Sequence, residues 1–140
     1  MADGSWLIAD RRNRMARFSF EDLEVWKRAV LFAEMVILSS EQWKTAGKHF
    51  RLLEQVESTS ASVAMNIAEG KGRFSKKEFV YYLHIARGSL FEVVTLLTIV
   101  AKLEWIDDND FEKLRNEAEI IGKMLSSLIN SIKNSQIAIG

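Results

Sequence analysis

The chain has 140 residues, with no cysteine, no proline, and 19 basic against 19 acidic side chains. This length predicts one domain, and the absence of cysteine excludes disulfide bonds, zinc–thiolate sites and thiol nucleophiles. The absence of proline favours long uninterrupted helices, and the zero net charge argues against binding to nucleic acid through net charge alone.

Residues 1–17 are predicted to form an N-terminal extension that precedes the folded domain: a binding arm, an upstream translated extension or a cloning remnant. The extension lacks the apolar core and the small-residue cleavage site of a signal peptide. The most apolar stretch of the chain, residues 90–101, is shorter than the roughly 20 residues that a membrane-spanning helix needs. We therefore predict a cytoplasmic protein without a membrane partner. The candidate contacts of the extension with nucleic acid or another anionic partner are Arg11, Arg12 and Arg14.

The first helix is predicted to run from Phe18 to about Ser39, with Ser19 as its cap and Asp22 three residues further on. Two apolar stripes lie side by side along it. The stripe predicted to face the bundle core is Leu23, Trp26, Val30, Ala33 and Ile37. A bundle core needs only one stripe, so the second indicates another buried surface, which we predict to be an oligomer interface. Its members are Val25, Ala29, Phe32 and Val36, of which Val25, Phe32 and Val36 are the interface candidates.

The second helix is predicted from about His49 to Glu69, after a connection at residues 40–48. Gly70 is predicted to end this helix, because glycine accepts the left-handed conformation that is common just past a C-terminus. The small side chains of residues 58–62 would let a neighbouring backbone approach closely. Asn66 is predicted to have a structural role, in which its amide bonds to a neighbouring backbone and fixes the helix register.

The third helix is predicted from Ser75 to about Glu104, because Ser75 and Glu78 match a capping box. Nine of the twelve residues from 90 to 101 are apolar, so this helix must be covered from more than one side. Phe91 and Val94 are further interface candidates on it. The predicted core line is Leu83, Ala86, Leu90, Val93, Leu97 and Val100.

The connection between the second and third helices carries a local excess of positive charge. It lacks the glycine spacing and the Lys-Ser/Thr pair of a phosphate-binding P-loop. The amide end of the third helix points into the same region and favours anions. Two interpretations have about equal weight: a solvated turn, or a docking point for phosphate or an acidic partner. The candidate binding residues are Lys71, Arg73, Lys76, Lys77 and Arg87, opposed only by Glu69 and Glu78.

A fourth helix is predicted to begin after the capping residues 107–110 and to keep a heptad-like apolar spacing from Phe111 to Ile132. Residues 18–134 are therefore predicted to form an all-α, antiparallel, up-down-up-down four-helix bundle, followed by a tail at residues 135–140.

Enzymatic chemistry has little support in the pattern. Di-iron bundles use Glu-x-x-His pairs, but Ala46 stands three residues before His49 and Tyr81 three before His84. His84 is predicted to be a structural or interface residue. The serines of the second helix have no suitably spaced base. We predict no catalytic residue, no metal, no cofactor and no small-molecule substrate.

Several motifs in order resemble one family of bacterial proteins. These are the run at residues 20–29, Asn66-Ile67-Ala68-Glu69-Gly70, the elements Gly72-Arg73, Ser75 and Lys77-Glu78-Phe79, and Ile85-Ala86-Arg87-Gly88-Ser89-Leu90. Together they resemble the 23S rRNA intervening-sequence proteins over about residues 18–130. Within the match, the structural signature residues are Asn66, Glu69, Gly70, Gly88 and Ser89.

The resemblance implies a non-enzymatic four-helix bundle that assembles into a homopentamer and is often encoded within an intervening sequence of bacterial 23S rRNA genes. A related branch, the accessory variability proteins of diversity-generating retroelements, forms a pentameric barrel that binds reverse transcriptase and nucleic acid. Two positions depart from the family pattern. Glu57 and Ser58 stand where a basic pair is common, and Ala64 stands where proline is common.

Three hypotheses follow for the function. The first is a non-catalytic oligomeric scaffold that binds RNA or a nucleic-acid enzyme through the basic connection. The second is an accessory subunit of a reverse transcriptase from a diversity-generating retroelement. The third and weakest is a helical-bundle enzyme. Because the departure at Glu57 and Ser58 removes positive charge, it weakens the case for nucleic-acid binding more than the case for the fold.

Overall fold

The computed structural model describes the backbone of residues 17–139 and the side chains of residues 17–135. A short 3₁₀ helix, Ser19–Asp22, precedes four α-helices. The helices are α1 (Glu24–Ser40), α2 (Phe50–Lys71), α3 (Lys76–Lys102) and α4 (Asp108–Ile139). Consecutive helices pack against each other, and α1 also packs against α4. The described part of the chain is thus all-α and contains no strand, as the sequence predicts.

The chain enters α1 later than the sequence predicts. Ser19 does not cap the helix; instead the Glu21 carboxylate accepts a hydrogen bond from the Phe18 amide at 2.7 Å and closes a 3₁₀ turn. Leu23 then has extended backbone angles, with φ −75° and ψ 121°. This extended residue separates the turn from α1, which therefore begins at Glu24 rather than at Phe18.

The two apolar stripes of α1 have the opposite roles from those predicted. Val25, Phe32 and Val36 are at most 4% exposed within the single chain, and they belong to its hydrophobic core together with Ala29. The prediction that these three residues form an oligomer interface is therefore wrong, because no surface of theirs is left for a partner. The stripe that contains Leu23, Trp26 and Val30 is only half-buried and packs along the edge of the core.

Gly70 does not end α2. The helix continues through it to Lys71, and Gly72 follows with an ordinary right-handed φ of −78°. A Cβ atom at Gly70 would lie only 2.7 Å from the Cβ atom of Tyr82 on α3. Glycine is therefore present at this position because α2 and α3 approach each other closely here, not because the backbone needs a left-handed residue.

The predicted caps of α3 and α4 are confirmed. The Ser75 hydroxyl accepts a hydrogen bond from the Glu78 amide at 3.1 Å, and the Asp107 carboxylate accepts one from the Asp110 amide at 2.8 Å. Helix α4 continues to Ile139, five residues beyond the predicted end of the bundle.

By length and composition α3 could span a membrane. Eight of its apolar side chains are buried in the bundle, as in a core helix of a globular domain.

The α1–α2 connection and the α3–α4 turn meet at one end of the molecule. The Lys44 amide donates to the Trp105 carbonyl at 3.1 Å, and the His49 ring lies 4.9 Å from the Trp105 ring. Buried Trp43 donates its indole N–H to the Ser39 hydroxyl at 2.9 Å. The α2–α3 connection lies at the far end of α2, about 33 Å away at 1.5 Å per helical residue.

Candidate nucleic-acid interface

Arg73 is held firmly in the four-residue connection between α2 and α3. Its guanidinium forms an ion pair with Glu69 at 2.6 Å and donates to the Tyr82 hydroxyl at 2.8 Å. The same group lies 4.8 Å from the centre of the Tyr82 ring. Glu69 therefore offsets the charge of Arg73, and these contacts fix the shape of the connection.

The neighbouring lysines make no ion pair within the described chain. The Lys71 ammonium lies 5.7 Å from the centre of the Phe79 ring, and the Lys76 ammonium donates to the Ser135 hydroxyl at 2.9 Å. Lys77 is exposed and has no side-chain partner among the described residues. Within the described chain none of the three is ion-paired with a carboxylate, so their charges are available to an anionic ligand. We call Lys71, Lys76 and Lys77 the lysine cluster.

Arg87 does not belong to this cluster, although it is predicted above as a binding residue of the same basic connection. It lies eleven residues beyond Lys76 along α3, which is about 16 Å. Its guanidinium donates to the Ser126 hydroxyl of α4 at 3.1 Å and lies 6.0 Å from the centre of the Phe91 ring. The structure therefore separates the five predicted basic residues into a lysine cluster with Arg73 at the connection, and Arg87 on the α3–α4 face.

His84 lies near positive charges on the same α3–α4 face. Desolvation, followed by the nearby charges of Arg87 and Lys133, lowers the pKa of His84 below its ordinary value. Its Nδ1 atom lies 3.3 Å from a guanidinium nitrogen of Arg87. The lowered pKa favours a neutral imidazole, which can accept a hydrogen bond from that guanidinium.

A groove of about 790 Å³ runs between α3 and α4 beside Arg87. Phe91 and Val94, two of the predicted interface residues, line it, and Phe91 is 58% exposed. The groove is also lined by Leu90, Ala118 and Gly122. Its charged lining residues are Arg87, Arg115, Lys123 and Glu119. The groove thus combines an apolar surface with an excess of positive charge.

The predicted signature residues have distinct structural roles. Glu69 holds Arg73, and Gly70 permits the close approach of α2 and α3. The Asn66 amide donates to the Ser62 carbonyl at 2.8 Å, so it bonds within its own helix rather than to a neighbour. Ser89 is buried. A Cβ atom at Gly88 would meet nothing within 4 Å in the described chain, so packing inside the protomer does not require glycine there.

Phe74 lies in the α2–α3 connection and is not among the candidate residues predicted from the sequence. Its side chain is fully exposed, whereas the Phe79 side chain nearby packs against the core. The signal was present in the sequence, since Phe74 is a large aromatic residue between Arg73 and the capping Ser75, where turn residues are polar or small. The predicted candidates Arg11, Arg12 and Arg14 lie outside the described residues. Among the residues that are described, no group of three or more histidine, aspartate or glutamate side chains could hold a metal ion.

Comparisons with known proteins found a matching family model and a similar solved structure. The model of the family described as 23S rRNA-intervening sequence protein matches residues 21–127. A solved structure of a protein with unknown function, from the S23 ribosomal protein family of Bacteroides thetaiotaomicron, superposes with a TM-score of 0.70 and 24% identity, over 76% of this chain and 95% of that one. That identity supports similarity of fold alone. No curated protein matches the chain.

Proposed function

The chain belongs to the 23S rRNA-intervening sequence protein family, and from this membership we propose that it is a non-catalytic, homo-oligomeric scaffold that binds RNA through the lysine cluster. The observation that carries the proposal is that the three lysines have no carboxylate partner in the described chain. They lie within residues 71–77, at the α2–α3 connection. Lysine side chains of this kind bind phosphate groups and release the counterions that surround a nucleic acid.

The start of α3 adds to this positive potential. Its first amide groups lack partners within the helix, and Ser75 satisfies only one of them, that of Glu78. The helix dipole places further partial positive charge at the same end. Phosphate groups that contact Lys76 and Lys77 would therefore also lie close to the end of α3 that attracts anions.

The proposal includes an up-down-up-down arrangement of the helices and assembly of five copies. Two contacts support the arrangement. The Lys44 amide bonds to the Trp105 carbonyl across two connections, and the Lys76 side chain bonds to Ser135 near the end of α4. The exposed Phe91 beside the α3–α4 groove supports assembly, because a large apolar side chain at such a place favours burial against another protein surface.

Titration of labelled 23S intervening-sequence RNA at several salt concentrations tests the RNA-binding function. Replacing Lys71, Lys76 and Lys77 with alanine should weaken binding and make the slope of log affinity against log salt shallower by about 2–3, since each phosphate contact contributes about 0.7–0.9. The matched control replaces three exposed lysines at the other end of the molecule, Lys44, Lys48 and Lys102. This control variant should bind like the wild type. Absence of binding at low salt, or equal affinities of the two variants, would refute the proposal.

A protein partner is the second candidate, and the α3–α4 groove favours it. An apolar wall with positive residues at its edge suits a protein surface that is apolar with acidic flanks. A reverse transcriptase of a diversity-generating retroelement is the partner to test first. A gene for one beside a variable repeat near this gene would support this candidate, whereas location inside a ribosomal RNA operon would support the scaffold. Co-purification from the native organism would identify the partner directly.

A further inference from the structure

Phe74 is the most exposed of the large apolar side chains in the described chain, with a relative exposure of 108%. No other aromatic ring of the described residues stacks on it, whereas the rings of Tyr81 and Tyr82 contact each other at 5.3 Å. Full exposure of a phenylalanine forgoes the roughly 1.5–3 kcal/mol that burial of such a side chain contributes. Because packing inside the protomer does not use this ring, it is free to contact a ligand.

The backbone around Phe74 is anchored on both sides. Before it, the Gly72 amide donates to the Ala68 carbonyl at 3.2 Å and the Arg73 amide donates to the Gly70 carbonyl at 3.1 Å. The side chain of Arg73 is also fixed by Glu69 and Tyr82. After it, Ser75 caps α3. The ring is thus presented from a short connection whose ends are fixed, which lowers the entropy lost when a ligand binds.

The lysine cluster surrounds this ring in sequence, since Lys71, Lys76 and Lys77 all lie within three residues of Phe74. An exposed aromatic ring beside several cations is the arrangement with which proteins bind single-stranded nucleic acid: the cations contact the phosphates and a base stacks on the ring. Base faces are covered by their neighbours in a duplex but are accessible in single strands, loops and bulges. The ring therefore adds a selectivity for unpaired nucleotides that lysines alone cannot provide.

We propose that Phe74 is a stacking residue for an unpaired base, so that the α2–α3 connection binds single-stranded rather than duplex RNA. The inference rests on the proposed RNA-binding function, and it specifies the form of RNA that the lysine cluster recognises. Insertion of the ring into a membrane surface is less consistent with the structure. Such insertion needs a broad apolar face, whereas the neighbours of Phe74 on either side are Gly72, Arg73, Ser75 and Lys76.

The test compares a labelled single-stranded RNA with a duplex of the same sequence, using the full chain. The single strand carries 2-aminopurine, whose fluorescence falls when the base stacks. Phe74→Ala should weaken binding of the single strand by about 5- to 150-fold, the range expected for the loss of one stacked base, and should abolish the fluorescence change. Phe74→Trp should restore both. Since the ring contacts no phosphate, the salt dependence should stay the same in Phe74→Ala, whereas it falls in the lysine variant.

Phe50→Ala is the matched control, because Phe50 is 72% exposed and lies at the opposite end of α2. It should bind both RNAs like the wild type. If Phe74→Ala binds the single strand normally while the lysine variant does not, the stacking proposal is wrong and the RNA-binding function stands. If the wild type binds neither RNA at low salt, both proposals are wrong. Equal affinity for single strand and duplex, or Phe74-dependent binding to anionic vesicles without RNA binding, would also overturn the stacking proposal.

Discussion

At the residue scale, two glycines that share the same predicted signature differ in what surrounds them. A Cβ atom at Gly70 would lie 2.7 Å from Tyr82 Cβ and 3.2 Å from the Phe79 carbonyl oxygen. Rotation of a side chain cannot move either of these two atoms away. At Gly88 the same atom would meet nothing within 4 Å. The first glycine is therefore required by the packing of α2 on α3, and the second is not required by packing within the protomer.

These surroundings predict opposite effects of alanine at the two positions. Gly70→Ala should lower the free energy of unfolding by about 1–3 kcal/mol, because α2 and α3 must move apart. Gly88→Ala should raise it by about 0.5–1 kcal/mol, because alanine is the better helix former at an unobstructed interior position. Urea denaturation followed by circular dichroism measures both. Equal destabilisation by the two changes would show that the close approach at Gly70 is not what requires glycine.

At the element scale, apolar residues on different faces of α1 differ in their burial. Phe32 is 0% exposed on the buried stripe, whereas Leu38 of the same helix is 56% exposed. Phe32→Ala should lower the free energy of unfolding by about 3–5 kcal/mol, through lost burial and the cavity that it leaves. Leu38→Ala should change it by about 0.5 kcal/mol or less. Thermal melts at two protein concentrations provide the measurement. Were Phe32 an interface residue instead, its variant would melt normally as a monomer.

The elements also show which features the sequence could predict. Helix caps depend on residues close in sequence, and the sequence predicts Ser75 and a capping residue within 107–110, where Ser75 and Asp107 each bind an amide three residues away. The predicted cap Ser19 fails, because extended Leu23 delays the start of α1 to Glu24. The role of a stripe is set by neighbouring helices, so two adjacent stripes on α1 could not be ranked by periodicity alone. The role of Gly70 is not predictable from its own helix for the same reason, because the atom that excludes a side chain belongs to α3. The prediction that groups Arg87 with the lysines is wrong, because the helical rise along α3 separates it from Lys76 by about 16 Å.

At the scale of the whole molecule, the bundle buries its core and still leaves an apolar groove uncovered. Exposed Phe91 and half-buried Val94 both line this groove. The positive residues Arg87, Arg115 and Lys123 line the same groove. A second surface that covers the groove would have to be apolar at its centre and tolerate or complement positive charge at its edge. This requirement is specific enough to be tested by a single substitution.

Phe91→Glu should break the proposed homo-oligomer, because it places a carboxylate where burial against a partner would remove its hydration. Multi-angle light scattering should give about five times the 16.0 kDa mass of one chain for the wild type and one chain for the variant. Leu38→Glu, at a similarly exposed position of α1 outside the groove, is the control and should remain oligomeric. Since Phe91 is exposed within the protomer, the variant should keep its helical circular dichroism spectrum. A wild-type protein that is monomeric at micromolar concentration, or an oligomer that tolerates glutamate at position 91, would exclude the groove as the interface between copies.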